Sequence, residues 1–202
     1  MQIRNSDQAY GAAAQALHWA TVLLVILAWT LGTFDDALPK GAARAAGLFV
    51  HISAGLVIPA LLILRLLLRV VDPPPALEPT RLGKWAEVTA RLAHYSMYAL
   101  LIAVPVTGIL AQFARGNPLP VFGLFEIASP WLRDKNFAHN VTEVHEVFAD
   151  ALLILAGLHA SAALAHHWVL RVEPFSECFR SRALPSARSH SKLTPNSPRR
   201  AF

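Results

Sequence analysis

Apolar residues fall into four long runs, divided by short stretches that carry most of the charge and proline. The runs cover about Leu17 to Thr33, Gly47 to Val71, Leu92 to Ala114 and Val147 to Leu170. Charge inside them is confined to Arg65 and Arg69 near the end of the second and Asp150 in the fourth. A hydrocarbon layer about 30 Å thick is crossed by roughly 20 helical residues, so each run reaches or approaches a span. None has the polar face that a helix of a soluble bundle presents to water. The breaks are sharp. Asp35 and Asp36 stop the first run, Asp72 and the prolines at 73–75 the second, and Arg115-Gly116-Asn117-Pro118 the third. Pro105 and Gly108 lie inside the third run, which membrane helices tolerate. The pattern predicts an all-α fold: a four-helix transmembrane bundle with helices over 12–34, 45–71, 85–114 and 142–170. The membrane domain covers 1–175, and a basic, disordered tail covers 176–202.

Composition agrees. Of 202 residues, 54% are hydrophobic and 15% charged, against about 25% charged in soluble domains. One cysteine, Cys178, excludes a disulfide framework. The first run is expected to stay in the mature protein, because Trp29, Leu31 and Phe34 stand where a cleavage site wants small residues. The net charge of +5 resides in the tail, where six Arg and one Lys from Arg171 onward oppose Glu173 and Glu177. Arg4 at the N-terminus and Arg65, Arg69, Arg81, Lys84 and Arg91 around the middle loop are also basic, while the other two loops are charge-balanced. The positive-inside rule then puts both termini and the middle loop in the cytoplasm. The tail reads as a segment touching anionic headgroups and not as a nucleic-acid arm.

The chemistry lies in the histidines. Of nine, His190 is in the tail and His139 in an outer loop. The other seven, His18, His51, His94, His145, His159, His166 and His167, lie in or at the ends of the runs, where an ionisable group is costly and points to function. His145 and His159 are fourteen residues apart, which leaves them roughly 21 Å apart along one helix and within about 40° of each other. By depth, His51 pairs with His145 near the outer surface, and His18 with His159 near the inner one. Two imidazoles from different helices suit the axial ligation of a haem inside a bundle. Zinc would call for three or four protein ligands, usually including Cys or a carboxylate. Ser53, Ala54 and Gly55, and Gly157 and Ala160, are small residues that would let a ring approach. Glu146 is a candidate acceptor for the outer ring. His166 and His94 compete for the inner position, and spacing leaves that choice open.

The stretches Leu17-His18-Trp19, His51-Ile52-Ser53-Ala54-Gly55, Arg65-Leu66-Leu67-Leu68-Arg69, Arg115-Gly116-Asn117-Pro118, Val144-His145-Glu146, Gly157-Leu158-His159-Ala160 and Ala165-His166-His167 resemble the bacterial cytochrome b561 family over about residues 10 to 170. The match is closest to its small Gram-negative inner-membrane members. The resemblance implies two haem b groups, with His18, His51, His145 and His159 as iron ligands, which selects His159 over His166 and His94. It also implies electron exchange with ubiquinone and a role for superoxide as donor. The tail departs from the family's short end.

The reading is a multi-pass inner-membrane di-haem b-type cytochrome that transfers electrons between the periplasmic and cytoplasmic sides. Arg65, Arg69, Arg91, His94 and His167 are candidates for haem propionates or a quinone. No Cys-x-x-Cys-His is present, so the haems are expected to be non-covalent. The alternatives are a cytochrome b subunit anchoring a larger dehydrogenase or hydrogenase through a redox partner protein, and a transporter whose histidines relay protons.

Overall fold

In the computed structural model, Asn5 and residues 10–73 and 83–168 are described. Four helices follow in order: α1 Ala12–Thr33, α2 Ala42–Val71, α3 Gly83–Ala114 and α4 Lys135–Trp168. All four are long and apolar enough to cross a membrane. Thr21, Thr30 and Ser161 each donate to the carbonyl four residues back in the same helix. Such back-bonding spares these hydroxyls from facing lipid without a partner.

Three helices begin earlier than the periodicity predicts, α3 by only two residues, at Gly83. α4 starts at Lys135, seven residues before 142, because the Oδ1 of Asp134 accepts the N–H groups of Asn136 and Phe137 at 3.0 Å each and so caps the first turn. α2 starts at Ala42, where Arg44 reaches back to the Asp36 carboxylate at 3.0 Å and to the Leu38 carbonyl at 3.2 Å.

The all-α expectation has one local exception. Between α3 and α4 a short antiparallel hairpin pairs β1 (Leu119–Val121) with β2 (Phe125–Ile127), with Pro120 opposite Glu126. Gly116 turns the chain out of α3 with φ +73°, and a Cβ there would stand 3.2 Å from that of Arg133.

α1 packs along α2 and α3 along α4, while α1 and α4 meet over a short stretch. The core is small. Ile58, Leu62, Leu101 and Leu152 form it, with Leu24, Val25, Met97 and Val104 against them. Leu152 lies seven residues from both His145 and His159, so this apolar plug sits midway between the two histidine levels. Large side chains such as Leu23, Ile63, Ile154 and Leu158 face outward. In water that would be untenable for four helices at once, but in a bilayer it is the lipid contact.

Candidate haem site

His51 on α2 and His145 on α4 face each other with ring centroids 6.1 Å apart and planes at 78°. Imidazole nitrogens bind first-row metals at about 2.0 Å, so two trans ligands hold their ring centres roughly 6 Å apart. Each ring is held in the same way. Nδ1 of His51 donates to the Ala28 carbonyl at 2.7 Å, and Nδ1 of His145 donates to the Val104 carbonyl at 2.9 Å. A carbonyl can only accept, so in each neutral ring the proton is on Nδ1 and Nε2 carries the free lone pair. Four residues beyond each carbonyl stands a glycine. A Cβ at Gly32 or at Gly108 would lie 3.1 Å from Cε1 of its histidine. The unit is therefore repeated: a carbonyl and a glycine one turn apart on one helix receive the ring of the next.

The two rings line a cavity of about 640 Å³ with walls from all four helices. Val25, Ala28, Leu56, Ile58, Leu101 and Ile109 make its apolar part, and Arg115, Asp35, Asp36, Glu146 and Asp150 are its charged members. Gly55 opens onto it with no atom within 4 Å of its Cβ position. Two facing imidazoles with unprotonated Nε2, apolar walls and an open glycine fit a haem at this level. Glu146 lines the cavity, but the expectation that it orients the His145 ring fails, since the Val104 carbonyl holds that nitrogen. Sequence reasoning missed Gly32 and Gly108 as ring seats. The available signal was that a glycine inside a helix costs about 1 kcal/mol relative to alanine and so marks a close approach.

The other level is built differently. His18, His94, His159 and Arg65 lie close enough to interact electrostatically, and the His94 ring packs edge-on against His159 at 5.1 Å. Arg65 Nη1 donates to His18 Nδ1 at 3.1 Å. Arginine has no acceptor, so His18 accepts through Nδ1 and carries its proton on Nε2. As arranged, His18 presents an N–H and not a lone pair, and a ligand role requires Arg65 to leave Nδ1. Arg69 reaches the Tyr98 hydroxyl at 3.4 Å, and Arg91 pairs with Glu87 on its own helix. Gly157 has no neighbour within 4 Å of its Cβ position. Gly157 and Ala160 beside His159 are both exposed. The side chains of His166 and His167, residues 169–175 of the membrane domain and the tail at 176–202 lie outside the described residues.

Over residues 9–178 the sequence matches the model of prokaryotic cytochrome b561. The chain belongs to that family. It is similar to cytochrome b561 homolog 2 of Escherichia coli, at 29% identity over 84% of this chain and 90% of that one. It is also similar to the probable superoxide oxidase CybB of Yersinia pestis, at 31% identity over 80% and 90%, and to cytochrome b561 homolog 1 of Escherichia coli, at 27% identity over 76% and 86%. Family membership and the four apolar helices make this a multi-pass protein of the bacterial inner membrane, of a class that binds haem b.

Proposed function

We propose that this b561-family protein is a di-haem cytochrome that carries electrons between the two sides of the membrane. His51 and His145 are the axial pair at one level, and His18 and His159 at the other. The observation that carries the reading is the His51–His145 pair, facing across an apolar cavity with both Nδ1 protons committed to backbone carbonyls. When bound, haem b supplies a one-electron iron couple. The residues around it do the rest. Two imidazoles would hold the iron between them, an arrangement that suits electron transfer over oxygen binding. The carbonyls of Ala28 and Val104 fix tautomer and ring orientation, so little moves on a change of redox state. Leu152 and its neighbours keep water from the space between the levels.

At the second level, the proton of His18 passes to Nδ1 once Arg65 swings away, and the freed guanidinium becomes a partner for a propionate. Arg69, Arg91, His94 and His167 are the further candidates for a propionate or for ubiquinone. They suit a carbonyl that takes up protons as it is reduced. By the excess of Lys and Arg, this level faces the cytoplasm and the His51–His145 level the periplasm. The similarity to a probable superoxide oxidase makes superoxide a donor to test at the periplasmic end.

The test is stoichiometry. Acid-acetone extraction of the purified protein should release two haems per chain. His51→Ala and His145→Ala should remove the same one, and His18→Ala and His159→Ala the other. A wild-type ratio near one refutes the two-level reading.

A further inference from the structure

The cavity between His51 and His145 has a carboxylate that ring seating leaves unused. Asp150 lies within the fourth span and lines the same cavity as the two histidines. Its Oδ1 accepts the indole N–H of Trp29 at 2.8 Å, from α1 to α4. Trp29 directly follows Ala28, whose carbonyl holds His51. The hydrogen bond thus fastens a charge to the backbone segment that orients one of the rings.

Asp150 differs from the other carboxylates of the lining. Asp35 and Asp36 are engaged by Arg44 at 3.9 and 3.0 Å. Glu146 sits one turn nearer the start of the helix, next to His145. Arg115, the cation of the lining, donates to Thr142 at 2.9 Å. No ion pair among the described residues involves Asp150. Trp29 can donate and cannot accept, so the bond fixes one carboxylate oxygen of Asp150 in place. The Asp150 side chain is exposed on the chain itself, but the span places it in the bilayer, where bulk salt screens a charge little.

We propose that Asp150, held by Trp29, sets the reduction potential of the haem between His51 and His145 and keeps it low. The inference rests on haem ligation by that pair. Reduction of ferric iron removes one positive charge from the site. A fixed anion nearby therefore stabilises the oxidised form and disfavours the reduced one. A lower potential at this level than at the other directs electrons inward, toward His18 and His159.

Spectroelectrochemical titration of the purified holoprotein tests this. The relevant wave is the one lost in His51→Ala. Asp150→Asn, neutral and nearly isosteric, moves that wave to higher potential by at least a threefold change in the ferric–ferrous equilibrium. That is about 30 mV at 59 mV per tenfold for one electron. The second wave stays in place. Asp150→Glu keeps the charge and returns the wave toward its wild-type position, and Trp29→Phe gives a smaller shift in the same direction as Asp150→Asn. An intact His51-dependent wave that does not move in Asp150→Asn overturns the proposal, as does an equal shift of both waves. A wild-type protein in which no wave depends on His51 overturns the ligand assignment itself, and is recognised by that different failure.

Discussion

Gly108→Ala separates the role of a glycine as a ring seat from its role in a helix. In an ordinary helix interior the change stabilises by about 0.5–1 kcal/mol. At this position the new Cβ would stand 3.1 Å from Cε1 and 3.3 Å from Nδ1 of His145. Non-bonded carbons settle at about 3.5–4.0 Å, so the ring must retreat by roughly half an ångström. The retreat is away from α3, where the Val104 carbonyl now accepts from Nδ1 at 2.9 Å. That bond would stretch to roughly 3.4 Å, outside the usual range of N–H···O bonds. Its loss costs about 0.5–1.5 kcal/mol, which cancels the helix gain. The larger effect falls on the metal, because loss of the partner that orients a ligating histidine weakens binding by about 10–100-fold. The variant should therefore fold with near wild-type stability yet release one haem about 10–100-fold faster to a competing apo-globin. The haem of the His18–His159 level is the internal control, since Gly108 seats the other ring. Wild-type haem release in Gly108→Ala, or equally fast loss of both haems, would refute the seat.

Gly55→Leu pushes a side chain into the open part of the cavity, where no protein atom lies within 4 Å of the Cβ position. The extracted haem-to-protein ratio should fall by one with the protein still inserted, whereas a cavity that only awaits packing would leave the ratio unchanged. A topology reporter placed near Asn117 should read periplasmic and one fused after Phe202 cytoplasmic, and the opposite result exchanges the compartments of the two levels. Stopped-flow oxidation of the reduced protein by a short-chain ubiquinone should be slowed in Arg69→Ala and His94→Ala with haem content intact. Equal rates in all three proteins would remove the quinone from the His94 end.

Whatever depends on one helix at a time was legible in the chain. The four spans follow from runs of apolar residues whose length matches a bilayer. The shared depth of His51 and His145 follows from counting residues along helices of fixed rise, and their rings are indeed brought to 6.1 Å of each other. The family resemblance was carried by motifs of contiguous residues, and the match over residues 9–178 bears it out. The cap at Asp134 was also written in the chain, but an apolar count passes over a polar helix start.

What depends on how one helix is turned toward another had to come from the tertiary structure. Only there do the Ala28 and Val104 carbonyls meet histidines 23 and 41 residues away, and Trp29 meet Asp150 across 121 residues. In this protein the backbone, and not the neighbouring Glu146, receives the His145 proton, because Gly108 lets the ring approach α3 that closely. At the other level depth pairs His18 with His159, yet the packing sets His94 against His159 and Arg65 against His18. The reason is physical. Helical rise and membrane thickness are the same for every apolar segment, so depth can be read from residue number. The azimuth between helices depends on small residues and side-chain fit at a few crossing points, and those are properties of pairs of surfaces that no single stretch of chain contains.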